Sequence, residues 1–166
     1  MEMSVTIIIG NILSLCAMIS DSISGTRKKH SDILAIQIIS QLFYSASSLV
    51  LKGYSSAVQS VIAIFRNFAA IKNVKSKFIE WVLILLGVVF GIIFNSNGLL
   101  GYLPIVANFI YSVSVFKFKR NEKALKIVFI INMVMFAIFN AVIMNYVGLF
   151  SCMVVALSTL FSLVKM

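Results

Sequence analysis

Charged residues are scarce in this sequence, which excludes a water-soluble globular domain. Only 11% of its 166 residues are charged and 61% are hydrophobic, whereas a soluble domain carries about a quarter charged residues. Proline occurs once, and the two cysteines, Cys16 and Cys152, lie far apart in apolar stretches. Their spacing indicates neither a disulfide framework nor a paired-cysteine metal site. We therefore expect the lipid bilayer as a partner, and no metal or cofactor.

Catalytic motifs are absent as well. The sequence contains no H-E-x-x-H, no G-x-S-x-G and no P-loop. Its one histidine, His30, follows a basic run, and the acids Asp21, Asp32, Glu80 and Glu122 fall at the ends of apolar stretches. We therefore expect that the protein is not an enzyme. The net charge of +9 is divided among short clusters, without a soluble domain to present them, which argues against nucleic acid as a partner.

Long apolar runs take up most of the chain. A helix that crosses a bilayer needs about 20 mostly apolar residues. The first three such runs are bounded by charges and cover residues 3–20, 33–51 and 53–71. The charge-free stretches 81–116 and 127–164 are each too long for one helix, and the turn-forming segments 95–98 and 145–148 divide them. The pattern predicts an all-α membrane protein, a single transmembrane domain of seven transmembrane helices.

Basic residues in the loops predict the orientation of these helices, because cytoplasmic loops are enriched in Lys and Arg. With seven spans, the loops after spans one, three and five lie on the same side as the C-terminus. The basic residues on that side are Arg27, Lys28, Lys29, Lys72, Lys75, Lys77, Lys117, Lys119, Arg120, Lys123, Lys126 and Lys165. The opposite loops contain only Lys52. We predict the N-terminus outside and the C-terminus in the cytoplasm.

Two halves of the sequence share the same order of features, which predicts an internal repeat. Residues 10–72 and 101–165 are nearly equal in length, and each holds three spans. The corresponding features are Gly10 and Gly101, Arg27-Lys28-Lys29 and Phe118-Lys119-Arg120, and the turns Lys52-Gly53-Tyr54 and Asn145-Tyr146-Val147-Gly148, these last in a register open by about two residues.

The repeat also predicts how the helices are grouped. Three spans carry the chain from one side of the membrane to the other. The two units therefore have the same orientation only if a single helix separates them. The predicted layout is a 3+1+3 parallel arrangement of triple-helix bundles. Its parts are a first unit at residues 1–75, a linker helix at 76–97 and a second unit at 98–166.

Polar residues inside the apolar runs form helical stripes. Such residues are costly in hydrocarbon and usually face the bundle interior or a cavity. In span two they recur at steps of four, three and four, which places them on one helix face. The candidate substrate-binding residues from these stripes are Gln37, Gln41, Tyr44, Gln59, Arg66, Asn67, Asn108, Tyr111, Asn132 and Asn140. Pro104, one turn from Asn108, is predicted to kink or unwind its helix.

Two interpretations of these residues are open. Amides and hydroxyls commonly join transmembrane helices by hydrogen bonds worth about 1 kcal/mol, without any ligand. Arg66 lies about 9 Å along its helix from Lys72, so its guanidinium can reach the cytoplasmic headgroups instead of holding an anionic or polar substrate. Asp21 and Glu80 lie near the same interface and are candidate salt partners of Arg66.

Two consecutive spans carry a family resemblance. The pattern consists of Gln41-Leu42-Phe43-Tyr44, then Leu51-Lys52-Gly53-Tyr54-Ser55-Ser56-Ala57, then Ala63-Ile64-Phe65-Arg66-Asn67. It resembles the YgjV-type family of bacterial inner-membrane proteins. That family looks related to the group containing SWEET sugar transporters and PnuC vitamin-precursor transporters, which have 3+1+3 parallel repeats. The resemblance implies a multi-pass transporter in the bacterial cytoplasmic (inner) membrane. Only Pro104 matches the prolines that SWEET proteins place in both repeats, which argues against the SWEET mechanism.

The leading hypothesis is a facilitator or exchanger of a small polar or anionic solute. Its two units would rock about a midplane cavity lined by Gln41, Gln59, Arg66, Asn108 and Asn132. The rival hypothesis is a membrane scaffold, immunity or regulatory protein in which those side chains only join helices. A homo-oligomer is compatible with both.

The predicted topology is tested by reporter fusions at the two ends of the chain. We expect an N-terminal reporter to be active outside the cytoplasmic membrane and a C-terminal reporter to be active in the cytoplasm, because seven crossings separate the ends. Both reporters in one compartment would contradict the odd number of spans and the repeat inferred from it.

Overall fold

The computed structural model describes residues 2–25, 30–72, 74, 76–117 and 122–164. Over these residues the protein is all-helical, which confirms the predicted class, and it contains no strand. The helices are α1 (Glu2–Gly25), α2 (His30–Val50), α3 (Tyr54–Ile71), α4 (Lys77–Ile93), a 3-10 helix (Gly98–Tyr102), α5 (Leu103–Lys117), α6 (Glu122–Val142) and α7 (Tyr146–Val164).

One described helical segment, Ser4–Ile23, is long and apolar enough to cross a membrane by length and composition. Shorter apolar segments are Leu34–Val50, Gly98–Ser114, Lys126–Val142 and Tyr146–Phe161. The crossing of the remaining helices therefore stays a prediction. So does the predicted sidedness, since the basic residues Arg27, Lys28, Lys29, Lys75, Lys119, Arg120 and Lys165, like the loop residue Phe118, lie outside the described part of the chain.

Six helices form a closed ring, and α4 lies outside it. Around the ring each helix packs against the next in the order α1, α2, α3, α5, α6 and α7, and α7 packs against α1. The excluded helix, α4, packs against α3 and α5. In this order α2 lies across the ring from α6, α1 from α5, and α3 from α7.

Two turns in the ring have the same backbone geometry. After α2, Lys52 adopts a left-handed φ of 59°, and after α6, Met144 adopts a φ of 58°. Each turn is closed by the same four backbone N–H···O bonds, donated by residues 51, 52, 53 and 57 in the first and by residues 143, 144, 145 and 149 in the second. Gly53 therefore occupies the same position as Asn145, 92 residues further along.

This geometry places the second turn earlier than the sequence predicted. The turn was expected at residues 145–148, but α7 already begins at Tyr146. Asn145 explains the difference, because its side-chain oxygen accepts the Gly148 backbone N–H at 2.9 Å and so caps the first turn of α7. The other predicted divide, at residues 95–98, is confirmed, since α4 ends at Ile93.

Pro104 does not kink the middle of a helix as predicted. It is the second residue of α5, directly after the 3-10 helix. In the first turn of an α-helix the backbone amide has no intrahelical partner, so proline costs nothing there.

The ring is closed by packed side chains at the end where these turns lie, which we call the turn end. Phe139 is fully buried there with Leu51 and Ile143, and Ile7 and Leu103 pack against this cluster. Gly53 fits closely beside it, because a Cβ at that position would lie 3.0 Å from Ile143 and 3.2 Å from Phe139.

Hydrogen bonds join helices across the turn end. Asn11 on α1 donates from Nδ2 to the Met144 carbonyl at 3.0 Å and accepts the Val147 backbone N–H through Oδ1 at 2.9 Å. The Ser96 hydroxyl donates to the Lys52 carbonyl at 3.2 Å. The turns after α2, α4 and α6 are therefore held at one end of the ring.

Removing the buried phenyl group of Phe139 tests this packing at the turn end. We expect Phe139→Ala to lower the free energy of unfolding by about 3 kcal/mol, because it leaves a cavity in a packed cluster. The matched control is Phe150→Ala, since Phe150 is 62% exposed. Thermal unfolding of the purified protein in detergent measures both. Equal loss of stability in the two variants would contradict the assignment of Phe139 to the packed core.

Candidate functional site

A cavity of about 340 Å³ lies at the centre of the ring. We call it the central cavity. All six ring helices or their turns contribute lining side chains, and α4 contributes none. The lining includes all ten candidate residues, namely Gln37, Gln41, Tyr44, Gln59, Arg66, Asn67, Asn108, Tyr111, Asn132 and Asn140. The stripes predicted on separate helices thus converge on one space, while their contact with a solute stays a prediction.

The cavity ends in a set of small polar groups near the turn end. Asn145 is 2% exposed and donates from Nδ2 to Asn140 Oδ1 at 3.2 Å, and Asn140 donates in turn to the Cys152 sulfur at 3.6 Å. On the opposite wall the Ser48 hydroxyl donates to Ser56 Oγ at 3.2 Å. These groups satisfy one another, so they act mainly to join the helices around the closed end.

The α2 wall is polar because Gln37, Gln41, Tyr44 and Ser48 recur at helical spacing. All four line the central cavity. The Tyr44 hydroxyl lies 3.5 Å from Ser151 Oγ, which connects α2 to α7 across the cavity. Gln37 and Gln41 are partly exposed and present amide groups to the cavity.

Two candidate residues on α3 and α5 join helices. Gln59 is 4% exposed, its Nε2 donates to the Gly87 carbonyl of α4 at 2.8 Å, and its Oε1 accepts from Asn108 Nδ2 at 3.1 Å. A Cβ at Gly91 would lie 2.9 Å from Gln59 Nε2, so glycine there admits the amide. The geometry of Gln59 and Asn108 therefore matches the interpretation in which these amides join helices without a ligand.

Arg66 has a different environment. Its side chain is exposed and lines the central cavity and also a second cavity of about 470 Å³ between α3, α4 and α5, the lateral cavity. Among the residues that the structure describes, Arg66 forms no hydrogen bond or ion pair. Its expected salt partners line these cavities without pairing with it, Asp21 in the central one and Glu80 in the lateral one.

A second unsatisfied donor lines the central cavity. Asn132 is 4% exposed, and its Nδ2 has no hydrogen-bond partner. A buried donor without a partner costs about 1–3 kcal/mol. Arg66 and Asn132 therefore leave the cavity with donors for which the described protein supplies no acceptor.

The sequence-based candidates omitted several lining residues, among them Asp21, Phe129 and Met133. Asp21 was assigned to a span end, but α1 continues to Gly25, which places Asp21 against the cavity, where its carboxylate accepts a hydrogen bond from Ser40. Phe129 and Met133 also line it, and apolar residues inside an apolar helix give no signal of their own. They are distinguished only because their positions on α6 are equivalent to lining positions on α2.

Comparison with known protein families identifies the family of this chain. The sequence model of the family Imp-YgjV, described as bacterial inner membrane protein, matches residues 8–166. No curated protein matches, and no solved structure matches. The predicted similarity to SWEET and PnuC transporters is therefore untested.

Thiol labelling tests whether water reaches the central cavity. In a background carrying Cys16→Ala and Cys152→Ala, we expect Gln41→Cys to react with the charged reagent methanethiosulfonate ethyltrimethylammonium, because Gln41 lines the cavity. The matched control is Leu42→Cys, one residue further on and 55% exposed on the outer face of the ring, where lipid excludes the reagent. Mass spectrometry of membranes measures the adduct. Absence of labelling at Gln41→Cys would favour a dry, tightly packed interior.

Proposed function

The chain belongs to the Imp-YgjV family of bacterial inner membrane proteins, and we propose that it is a transporter, a facilitator or exchanger of a small solute. One observation carries this proposal, the cavity at the centre of the ring to which all six ring helices contribute polar side chains. Polar side chains are costly in a membrane protein unless they face a partner or a cavity. A purely structural interior would have filled this space with packed side chains.

The proposal includes the full membrane layout. It comprises seven spans in a 3+1+3 parallel arrangement, with the N-terminus outside and the C-terminus in the cytoplasm. The helix contacts support it, because α1, α2 and α3 pack in the same sequence as α5, α6 and α7, and the α3–α5 contact mirrors the α7–α1 contact. The repeated turn bonds 92 residues apart support the same pairing of units. Transporters with such repeats bind solute where the two units meet.

Alternating access follows from where the cavity is closed. At the turn end, Phe139 and its neighbours seal the ring, and Asn11 joins α1 to α7. Toward the other end the lining continues to Asp21, Gln37 and Arg66. We propose that solute enters from this second end and leaves after the two units separate at the turn end, which requires breaking the two hydrogen bonds that Asn11 forms with Met144 and Val147.

The lining residues have separate roles in this scheme. Gln59 and Asn108 hold α3 to α5 and α4. They therefore keep the α3–α5 contact between the two units intact while the α1–α7 contact opens. Gln41, Tyr44 and Asn132 face the solute with amide and hydroxyl groups. Arg66 supplies the positive charge.

The rival function is a membrane scaffold, immunity or regulatory protein. The bonds of Gln59 and of Asn145 favour it, because these amides join helices without a ligand. It does not account for the free donors of Arg66 and Asn132.

Uptake into proteoliposomes tests the transporter. Vesicles containing the protein are incubated with a mixture of small metabolites, and accumulated compounds are identified by mass spectrometry. We expect accumulation that disappears when Gln41, Gln59, Arg66, Asn108 and Asn132 are replaced together by Ala or Leu, because the polar lining is then lost.

Loss of uptake in the fivefold variant can also result from failure to fold, so a single substitution is tested beside it. Gln41→Ala should reduce uptake about tenfold by removing one ligand contact worth about 1.4 kcal/mol, while Asn97→Ala, outside the cavity, should leave it unchanged. Uptake that persists in the fivefold variant, or no protein-dependent uptake at all, would contradict the proposal.

A further inference from the structure

The α2 and α6 walls face each other across the central cavity, and their lining residues occupy equivalent positions. Since Gly53 and Asn145 are equivalent, each lining residue of α2 has a counterpart 92 residues later on α6. The resulting pairs are Gln37 and Phe129, Gln41 and Met133, Tyr44 and Phe136, and Ser48 and Asn140, all of which line the cavity. The helices lie opposite one another in the ring, so the pairs face each other.

At three of these four pairs the two walls have opposite chemistry, while Ser48 and Asn140 are both polar. Three of the four α2 positions present amide or phenol groups, whereas the same positions of α6 present two phenylalanines and a methionine. Phe129 packs against Tyr111 with its ring centre 5.6 Å away and the planes tilted by 51°. A polyol lying between the walls would leave hydroxyls without partners where they face Phe129, Met133 and Phe136, at about 1–3 kcal/mol for each. An apolar group fits against these three side chains at no such cost.

The charges of the cavity indicate the sign of the polar group. Arg66 and Asp21 are the charged lining residues among those described. Asp21 already accepts a hydrogen bond from Ser40, whereas the Nδ2 group of Asn132 has no partner and Arg66 pairs with no acceptor among the described residues. The unmet requirement is therefore for an acceptor, and a guanidinium binds a carboxylate through charge-assisted hydrogen bonds.

We propose that the solute of the central cavity is a small organic anion with a flat apolar group, of the class of aromatic carboxylates. Its carboxylate faces Arg66 and the α2 amides, and its ring lies against Phe129 and Phe136. A cavity of about 340 Å³ is at the small end of ligand sites, which measure about 300–1,000 Å³. The assignment rests on the proposed transport function and specifies its substrate class.

Binding to the purified full-length protein tests the substrate class separately from transport. Calorimetric titrations in detergent at pH 8 use three probes: benzoate, acetate and glucose. We expect benzoate to bind at least about tenfold more tightly than acetate, because acetate lacks the ring. Glucose should not bind, since it offers neither charge nor an apolar face.

Matched variants identify the groups responsible. Arg66→Gln and Phe136→Leu should each weaken benzoate binding by about tenfold, the first by removing the charge and the second by removing the ring contact. Lys72→Gln and Phe65→Leu, which remove the same chemical groups outside both cavities, should leave binding unchanged.

The outcomes separate the two proposals. Glucose binding that exceeds benzoate binding, absence of benzoate binding, or benzoate binding indifferent to Arg66→Gln would overturn the substrate class while leaving transport of another solute intact. Benzoate that binds as expected but is not taken up by proteoliposomes at pH 8 above the leak of protein-free vesicles would support the site and contradict the transport function.

Discussion

In the proposed membrane layout, the exclusion of polar side chains from hydrocarbon determines the arrangement of this protein. Each ring helix carries amides or hydroxyls on one face and large apolar residues on the other, and only a closed ring turns every polar face inward at once. The space enclosed by the ring is therefore lined by polar side chains from every ring helix, even though the sequence is 61% hydrophobic. The central cavity is a consequence of this arrangement, and its particular lining is what gives it chemical selectivity.

Much of the site was predictable from spacing. Gln37, Gln41 and Tyr44 recur at helical steps, and polar residues in an apolar run have few places to face. The match of the family model confirms the resemblance found in spans two and three. What spacing cannot distinguish is an amide that bonds a neighbouring helix, such as Gln59, from one such as Asn132 whose donor has no partner. That distinction depends on which helices become neighbours.

The errors of prediction have equally specific causes. The turn before α7 was displaced because Asn145 caps a helix rather than continuing a turn. Asp21 was assigned to the membrane interface because charge alone was taken to end the span. Phe129 and Met133 became visible as site residues only once the repeated turn bonds fixed the register of α6 against α2.

The position of α4 has a consequence for how such proteins diverge. This helix contributes nothing to the described lining of the central cavity and packs against α3 and α5. Apart from Gly87 and Gly91, which contact Gln59, its sequence can vary without changing the cavity, while solute preference evolves through the lining positions where α2 and α6 differ. Duplication of a three-helix ancestor would have produced identical walls, and selectivity would have arisen when positions 37, 41 and 44 diverged in polarity from positions 129, 133 and 136.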